Sequence, residues 1–206
     1  KGDTGVVIYS NSVCGARTNY EGGPAALAAA LTGRTPRYGF HLDRHRMGDT
    51  LIHVIDRPRE LNQWGALGGL VGRLMGSYYE VPVIAGIDAP PTSDELKHFG
   101  AALASFGSTA LFHMVGTTPE APDLESVFEV EPPEPAAVIG AAELRAFTDS
   151  YAPAGDKLDV VVFAAPQLSL MEMRTLAGLL KGRTVAGNTA CLIATAPEVK
   201  AAADRM

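Results

Sequence analysis

The chain has 206 residues, of which 47% are hydrophobic and 19% are charged, so it is long and apolar enough to fold around a core of its own. Acidic residues outnumber basic ones by 23 to 17, which gives a net charge of −6. A protein that binds nucleic acid or an anionic membrane through general electrostatics carries a basic surplus, so we expect neither partner.

The sequence contains no apolar run near the ~20 residues that span a bilayer, and no cationic segment followed by an apolar one. We therefore expect neither a transmembrane helix nor a signal peptide. The two cysteines, Cys14 and Cys191, lack metal-like spacing, which favours a reducing cytoplasm over a disulfide scaffold. Because the chain starts at Lys1 just before an apolar segment and stops at Met206 inside an expected helix, we interpret it as a fragment of a longer polypeptide.

Strand and helix signals alternate along the first 115 residues. Residues 6–10 are β-branched and aromatic, which predicts a buried strand. The elements expected next are a helix over 25–31, a strand over 50–55, a helix over 59–75, a strand over 81–85, a helix from the capping box at 92–95 to 106, and a strand over 109–115. Glycines and alanines within the helix over 59–75 indicate close packing against another backbone.

The composition changes over residues 117–135, which contain five prolines and several acidic residues and predict a linker. Alternation then resumes, with helices over 141–151, 169–181 and 197–206 and strands over 158–164 and 189–195. This order predicts an α/β fold with mostly parallel sheets flanked by helices. We expect a first α/β subdomain over 1–118, a linker over 119–135 and a second α/β subdomain over 136–206.

The segment from Asn11 to Asn19 is the richest in hydrogen-bonding side chains. It follows the first predicted strand, and ligands of parallel sheets lie beyond the carboxyl ends of strands. Arg17, flanked by Asn, Ser and Thr, could clamp a carboxylate through its forked guanidinium. From the residues alone, a polar loop that caps a helix accounts for the segment equally well.

Histidines supply the second set of candidates. His113 lies within an apolar strand pattern, where a core histidine and an acid or base both remain open. His41 and His45 have i,i+4 spacing and His53 follows them, but two arginines flank the pair, so a salt-bridged loop is favoured over a metal site. The sequence has no dinucleotide-binding glycine fingerprint and no phosphate-binding P-loop, so we expect no nucleotide cofactor.

A series of motifs spans nearly the whole chain. In order they are Asn11-Ser12-Val13-x-Gly15-Ala16-Arg17-Thr18-Asn19, Gly22-Gly23-Pro24, Ala29-Ala30-Leu31-Thr32-Gly33-Arg34-Thr35-Pro36, Tyr38-Gly39-Phe40-His41-Leu42-Asp43, Gly65-Ala66-Leu67-Gly68, Phe99-Gly100-Ala101-Ala102-Leu103-Ala104-Ser105, Ala110-Leu111-Phe112-His113-Met114-Val115-Gly116-Thr117-Thr118-Pro119-Glu120-Ala121 and Pro166-Gln167-Leu168-Ser169. Together they resemble the large subunit of aconitase X, a family of the aconitase superfamily.

This resemblance implies an aconitase-like fold and a hydro-lyase that removes water from a small hydroxy acid. Known members dehydrate cis-3-hydroxy-L-proline or a phosphorylated mevalonate. The Ala-, Gly- and Arg-rich composition is bacterial in character, which favours hydroxyproline breakdown over an archaeal isoprenoid step. The resemblance also implies an iron–sulfur cluster or iron that acts as a Lewis acid on the leaving hydroxyl. A partner is implied as well, a small swivelling domain or subunit that carries a serine base.

The resemblance further assigns roles to individual side chains. His113 and Ser12 are the catalytic candidates. Substrate would be bound by Asn11, Ser12, Arg17, Thr18, Thr118 and Glu120.

One position departs from the family pattern, because many members carry a cysteine where Ala165 stands here. Further ligand cysteines are expected beyond both ends of the chain, so the metal ligands remain unknown. Either the iron centre draws its ligands from outside this chain, or the protein is a non-catalytic paralogue that binds a small carboxylate. A dehydratase that uses a divalent metal without sulfide is a third reading.

Overall fold

The computed structural model describes residues 5–151, 155 and 157–206. These residues form two compact units, Gly5–Ser150 and Tyr151–Met206. Each unit contains a parallel sheet and helices, which confirms the predicted α/β class. Residues 1–4, with which the first expected subdomain begins, lie outside the described residues.

The first unit contains a four-stranded parallel sheet in the order β3-β2-β1-β4. Its elements in chain order are α1 (Val6–Ser12), α2 (Gly23–Thr32), β1 (Thr50–Val54), α3 (Leu61–Leu74), β2 (Pro82–Ala85), α4 (Ser93–Gly107), β3 (His113–Met114), β4 (Ala137–Ile139) and α5 (Ala141–Asp149). Because crossovers between parallel strands are right-handed, α3 and α4 lie on the same face of the sheet. They pack against each other there.

Glycines allow α3 and α4 to approach closely. A Cβ added to Gly68 would lie 2.2 Å from the carbonyl oxygen of Phe99, and one added to Gly72 would lie 2.8 Å from the Cβ of Phe106. No side chain fits at either position without moving a neighbour. The close packing that the small residues of this helix predict is therefore confirmed.

The other face of the sheet is covered by the segment expected to be a linker. Leu51 of β1 and Val83 of β2 form a buried cluster there with Val127 and Phe128. The prolines and acids of this segment stay at the surface for the most part, while most of its apolar side chains cover the strands. A sheet with an apolar residue on each face needs cover on both, and this segment supplies the second layer.

The observed boundary between the two units differs from the expected one because the chain after residue 135 continues in the first unit. β4 pairs in parallel with β1, with Ile52 beside Ala137, so residues 136–150 belong to the first unit. The expected second subdomain over 136–206 is thus shortened at its start, and residues 119–135 lie within the first unit. Composition identifies a proline-rich segment, but apolar packing and the strand pairing that follows it determine which unit the segment joins.

The first predicted strand is wrong, because residues 6–10 lie in the helix α1. Ile8 is fully buried, and its Cγ2 lies 3.3 Å from the position that a Cβ on Gly100 of α4 would occupy. α1 therefore packs against α4. This tertiary contact outweighs the strand preference of the β-branched and aromatic residues.

The strand predicted over 109–115 pairs with β2 only at His113 and Met114. On the side that β2 does not cover, side chains from the end of α1 bind the preceding backbone. Asn11 Nδ2 donates to the carbonyl oxygen of Ala110 at 2.9 Å, and the backbone N–H of Phe112 donates to Ser12 Oγ at 2.9 Å. These side chains take the place of a further strand at this edge of the sheet.

The second unit contains a two-stranded parallel sheet of β5 (Val160–Leu168) and β6 (Ala190–Thr195), with helices α6 (Leu170–Leu180) and α7 (Pro197–Ala203). These elements match the predicted ones within a few residues. Ser169 caps α6, because its hydroxyl accepts from the backbone N–H of Glu172 at 3.2 Å. None of the helices in the described part of the chain is long and apolar enough to cross a membrane.

Gly65→Ala and Gly68→Ala form a matched pair on α3. No atom lies within 4 Å of a Cβ added to Gly65, so alanine there should raise the free energy of unfolding by roughly 0.5–1 kcal/mol through helix propensity. The same methyl on Gly68 would press on the Phe99 carbonyl, and we expect a loss of about 1–3 kcal/mol. Urea unfolding measures both; equal stabilities would contradict the close approach of α3 and α4.

Candidate functional site

An open cavity of about 450 Å³ in the first unit brings several predicted residues together. Its walls include Gly15, Arg17, Asp43, Arg46, His113 and Glu120. Three of these, Arg17, His113 and Glu120, are predicted site residues, whereas Asp43 and Arg46 are not. We name it the Arg46 cavity after the side chain that holds its walls together.

Arg46 is the centre of a buried hydrogen-bond network and is only 2% exposed. Its guanidinium meets the carboxylate of Glu120 in a fork, with Nε donating to Oε2 at 2.8 Å and Nη2 to Oε1 at 2.5 Å. Nη1 donates to the carbonyl oxygen of Phe40 at 3.1 Å, and Nη2 donates to that of Asn11 at 3.0 Å. Because each guanidinium nitrogen of Arg46 has an acceptor, the side chain fixes the segments that supply these acceptors.

His113 is held by the backbone of the same arginine. Its side chain is buried, and Nε2 donates to the carbonyl oxygen of Arg46 at 2.5 Å. Burial lowers the pKa of the His113 imidazole, and the positive charge of Arg46 adds to that effect. The Arg46 carbonyl and the Glu120 carboxylate oppose it but are outweighed. Nδ1 is buried and has no hydrogen-bond partner among the described residues.

Arg17 lies in the wall of the cavity and is less constrained. Nη1 donates to the carbonyl oxygen of His41 at 3.0 Å, and Nη2 forms an ion pair with Asp43. The side chains of Arg17 and Asp43 are 43% and 87% exposed. Because exposed ion pairs contribute only about 0–1 kcal/mol, an anionic ligand can compete with Asp43 for this guanidinium.

Asn11 and Gly15 shape the loop that presents Arg17. Gly15 has a φ of 63°, in the left-handed region that favours glycine. The buried amide of Asn11 closes the loop, because Oδ1 accepts from the backbone N–H of Thr18 at 3.0 Å and Nδ2 donates to the Thr18 carbonyl at 2.9 Å. The polar loop therefore does not follow a strand as predicted. Asn11 and Ser12 end the helix α1, the loop begins after them, and the Asn11 amide binds the backbone of the loop.

Four predicted site residues do not line the Arg46 cavity: Asn11, Ser12, Thr18 and Thr118. Ser12 and Thr118 are each only 3% exposed. Ser12 Oγ accepts from the backbone of Phe112, and Thr118 Oγ1 accepts from the backbone N–H of Met114 at 2.9 Å. Both hydroxyls thus hold the strand that carries His113.

Glu21 joins the loop of Arg17 to the turn that follows. Its carboxylate accepts from the Thr18 hydroxyl and from the Asn19 backbone N–H at 2.9 Å, and lies 2.7 Å from His41 Nε2. Burial alone would raise the pKa of Glu21, but the hydrogen bonds from Thr18 and Asn19 outweigh it and lower the pKa to about 2. His41 thus lies in a salt-bridged loop, as predicted.

The described residues do not provide a metal centre. Among them, no group of three or more His, Cys, Asp or Glu side chains is placed to hold an ion. Ala165 offers no ligating atom, and Cys14 and Cys191 belong to different units. An iron–sulfur cluster needs several thiolate ligands, so the residues described here do not fit one.

A second open cavity, of about 500 Å³, lies at the carboxyl ends of β1, β2 and β4. Asp56, Arg57, Arg59 and Asp88 line it. The strand order reverses between β1 and β4, which is where open α/β sheets bind ligands. The Arg46 cavity is the stronger candidate, because it combines a buried arginine with a buried histidine that lacks a partner.

The fold places the chain among α/β proteins built on parallel sheets. Within that class, three family models match it in succession: the aconitase X first domain over residues 2–44, the second domain over 48–149 and the third domain over 158–206. Together they cover nearly the whole chain, which therefore belongs to the aconitase X family. The interval between the second and third matches contains the boundary between the two units.

Individual relatives agree with this assignment. The phosphomevalonate dehydratase large subunit of Methanosarcina mazei is 40% identical over 91% of this chain and 44% of its own length. The cis-3-hydroxy-L-proline dehydratase of Pseudomonas aeruginosa is 37% identical over 98% of this chain and 35% of its own length. The crystal structure of aconitase X from Thermococcus kodakaraensis, in its holo form, matches with a TM-score of 0.82 at 32% identity, over 98% of this chain and 50% of that one. This chain thus spans about half the length of its relatives or less.

Glu21→Gln should lower stability in a pH-dependent way. A carboxylate with a lowered pKa stabilises the folded state above its unfolded pKa of about 4.3, and this contribution is lost as the pH falls toward about 2. We expect the parent to exceed the variant in free energy of unfolding near neutral pH, and the difference to shrink in that acidic range. Urea unfolding across the range measures it, with the exposed Glu125→Gln as control. A difference that stays constant with pH would contradict this role of Glu21.

Proposed function

We propose that the full-length protein is a hydro-lyase that removes water from a small hydroxy acid. The observation that carries this is the Arg46 cavity within a chain of the aconitase X family, whose relatives are named dehydratases. Because the chain spans about half of those relatives or less, further segments complete the site. We propose that a small swivelling domain or subunit supplies them, and that the enzyme works in the cytoplasm, as its cysteine usage predicts.

The charge of the cavity favours cis-3-hydroxy-L-proline over phosphomevalonate as the substrate. Its two arginines, Arg17 and Arg46, are each paired with an acid, Asp43 or Glu120, so the walls are close to neutral. A zwitterionic amino acid matches this balance, with its carboxylate on a guanidinium and its protonated nitrogen on a carboxylate. Phosphomevalonate carries a phosphate and a carboxylate, and only Arg17 is exposed enough to exchange partners.

The proposal gives each predicted residue a role. Arg17 binds the substrate carboxylate, while His113 and Glu120 line the part of the cavity nearest Arg46. Ser12, a catalytic candidate from the resemblance, is better placed to position His113, because its hydroxyl binds the adjoining strand. Asn11, Thr18 and Thr118 support the walls in the same way.

Iron chemistry is part of the family resemblance, but the described residues do not fit its ligand set. We propose that any iron centre is held by ligands outside this chain. Ala165, which replaces the expected cysteine, favours a second candidate function, a non-catalytic paralogue that binds a small carboxylate.

Three measurements on the full-length protein separate the candidates. They are iron and acid-labile sulfide content, formation of dehydrated product from cis-3-hydroxy-L-proline and from phosphomevalonate, and binding of a small carboxylate. Product together with a cluster supports the hydro-lyase. Product with iron but no sulfide indicates a dehydratase that uses a divalent metal. Carboxylate binding without iron and without product supports the paralogue and removes the hydro-lyase.

Arg17→Ala should weaken turnover sharply while leaving the fold intact. A charge-assisted bond to a carboxylate contributes about 1.5–3 kcal/mol, which corresponds to a loss of roughly 10- to 100-fold in kcat/KM. Steady-state kinetics of the full-length enzyme measures the loss. The matched control is Arg145→Ala, which removes an exposed arginine of α5 outside the cavity. Unchanged kinetics in the folded Arg17 variant would remove this residue from the site.

A further inference from the structure

The two ring nitrogens of His113 have different surroundings. Nε2 lies 2.5 Å from the carbonyl oxygen of Arg46, while Nδ1 is buried without a partner among the described residues. A carbonyl oxygen has no hydrogen to give, so Nε2 must carry the proton of this hydrogen bond. The backbone of Arg46 thereby determines which tautomer the neutral ring adopts.

The surroundings also favour the neutral ring. His113 is only 2% exposed, and removing a charged imidazolium from water is costly. The neutral ring has a single N–H, which Nε2 holds, so Nδ1 keeps a lone pair. A buried acceptor without a donor is unfavourable, and a donor on a bound molecule would satisfy it.

The His113 ring cannot easily adopt the other tautomer, because the Arg46 backbone to which Nε2 donates is held in place. The guanidinium of Arg46 binds Glu120 and the carbonyl oxygens of Phe40 and Asn11, on three separate segments. Several polar side-chain atoms are buried without a partner in the described part of the chain. Among them, Nδ1 of His113 is the one that belongs to a wall residue of the Arg46 cavity.

We propose that His113 selects ligands that carry a hydroxyl group, by accepting a hydrogen bond from that hydroxyl at Nδ1, which a small movement of the cavity wall must first uncover. The inference rests on the proposed function and deepens it, because a hydroxy acid presents such a donor and its deoxy analogue does not. Arg17 then binds the carboxylate common to both compounds, and Arg46 is a positioning residue that acts through the His113 ring.

The first test needs no substrate. Full-length protein labelled with ¹⁵N-histidine is studied by NMR near neutral pH, and His113→Gln identifies the signals of this ring. We expect a neutral ring protonated at Nε2. A ring protonated at Nδ1, or at both nitrogens, would overturn the proposal whatever the activity of the enzyme.

The second test compares two probes that differ by one hydroxyl, cis-3-hydroxy-L-proline and L-proline. Their affinities are measured as KM and as a competitive inhibition constant, or by calorimetry where no turnover occurs. His113→Gln can still donate to the Arg46 carbonyl but lacks the acceptor at Nδ1. We expect the preference for the hydroxylated compound to fall about three- to tenfold and the affinity for L-proline to stay unchanged. Arg145→Ala should leave both values unchanged.

The outcomes separate this proposal from the proposed function. An undiminished preference in folded His113→Gln, or an equal loss of affinity for both compounds, overturns the role of His113. If the wild-type protein binds neither compound, the proposed substrate fails, and the ring-nitrogen signals alone decide on His113. The same signals decide if His113→Gln does not fold, in which case they are assigned through bonds from the backbone resonances of His113.

Discussion

A guanidinium that is taken out of water must find acceptors for its donors, and this requirement on Arg46 organises the first unit. The side chain meets Glu120 from the segment after β3, Phe40 from the turn before β1 and Asn11 from the end of α1. These segments are distant in the sequence and come together around one charge. The backbone of Arg46 then holds His113 through a hydrogen bond, so the burial of Arg46 also fixes the position of this wall residue of the cavity.

The sequence predicted correctly those elements whose ends are determined by neighbouring residues. The capping box that begins α4 is present, with the backbone N–H of Glu95 donating to the Thr92 hydroxyl at 3.2 Å. α1 could not be predicted in this way, because its strand-forming residues are overruled by burial of Ile8 against α4. The segment over 119–135 has the composition of a linker, yet two apolar side chains among its prolines, Val127 and Phe128, cover a sheet.

The candidate site was predictable to the extent that residue type alone reveals it. Arg17, His113 and Glu120 meet in one cavity. Arg46 was missed because a charged residue two positions after Arg44 and near Asp43 has the pattern of a solvated loop, and sequence does not show burial. The capacity of Asn11 to form hydrogen bonds was recognised, but a side chain that can bind a ligand can equally bind backbone.

The edge of the sheet at β3 is closed by side chains instead of by another strand. Unpaired edges are where extended chains from other molecules add on, which is a route to aggregation. Here the Ala110 carbonyl and the Phe112 N–H already have partners in Asn11 and Ser12. An incoming strand would first have to displace two buried side chains, so the residues that frame the cavity also protect the molecule against templated self-assembly.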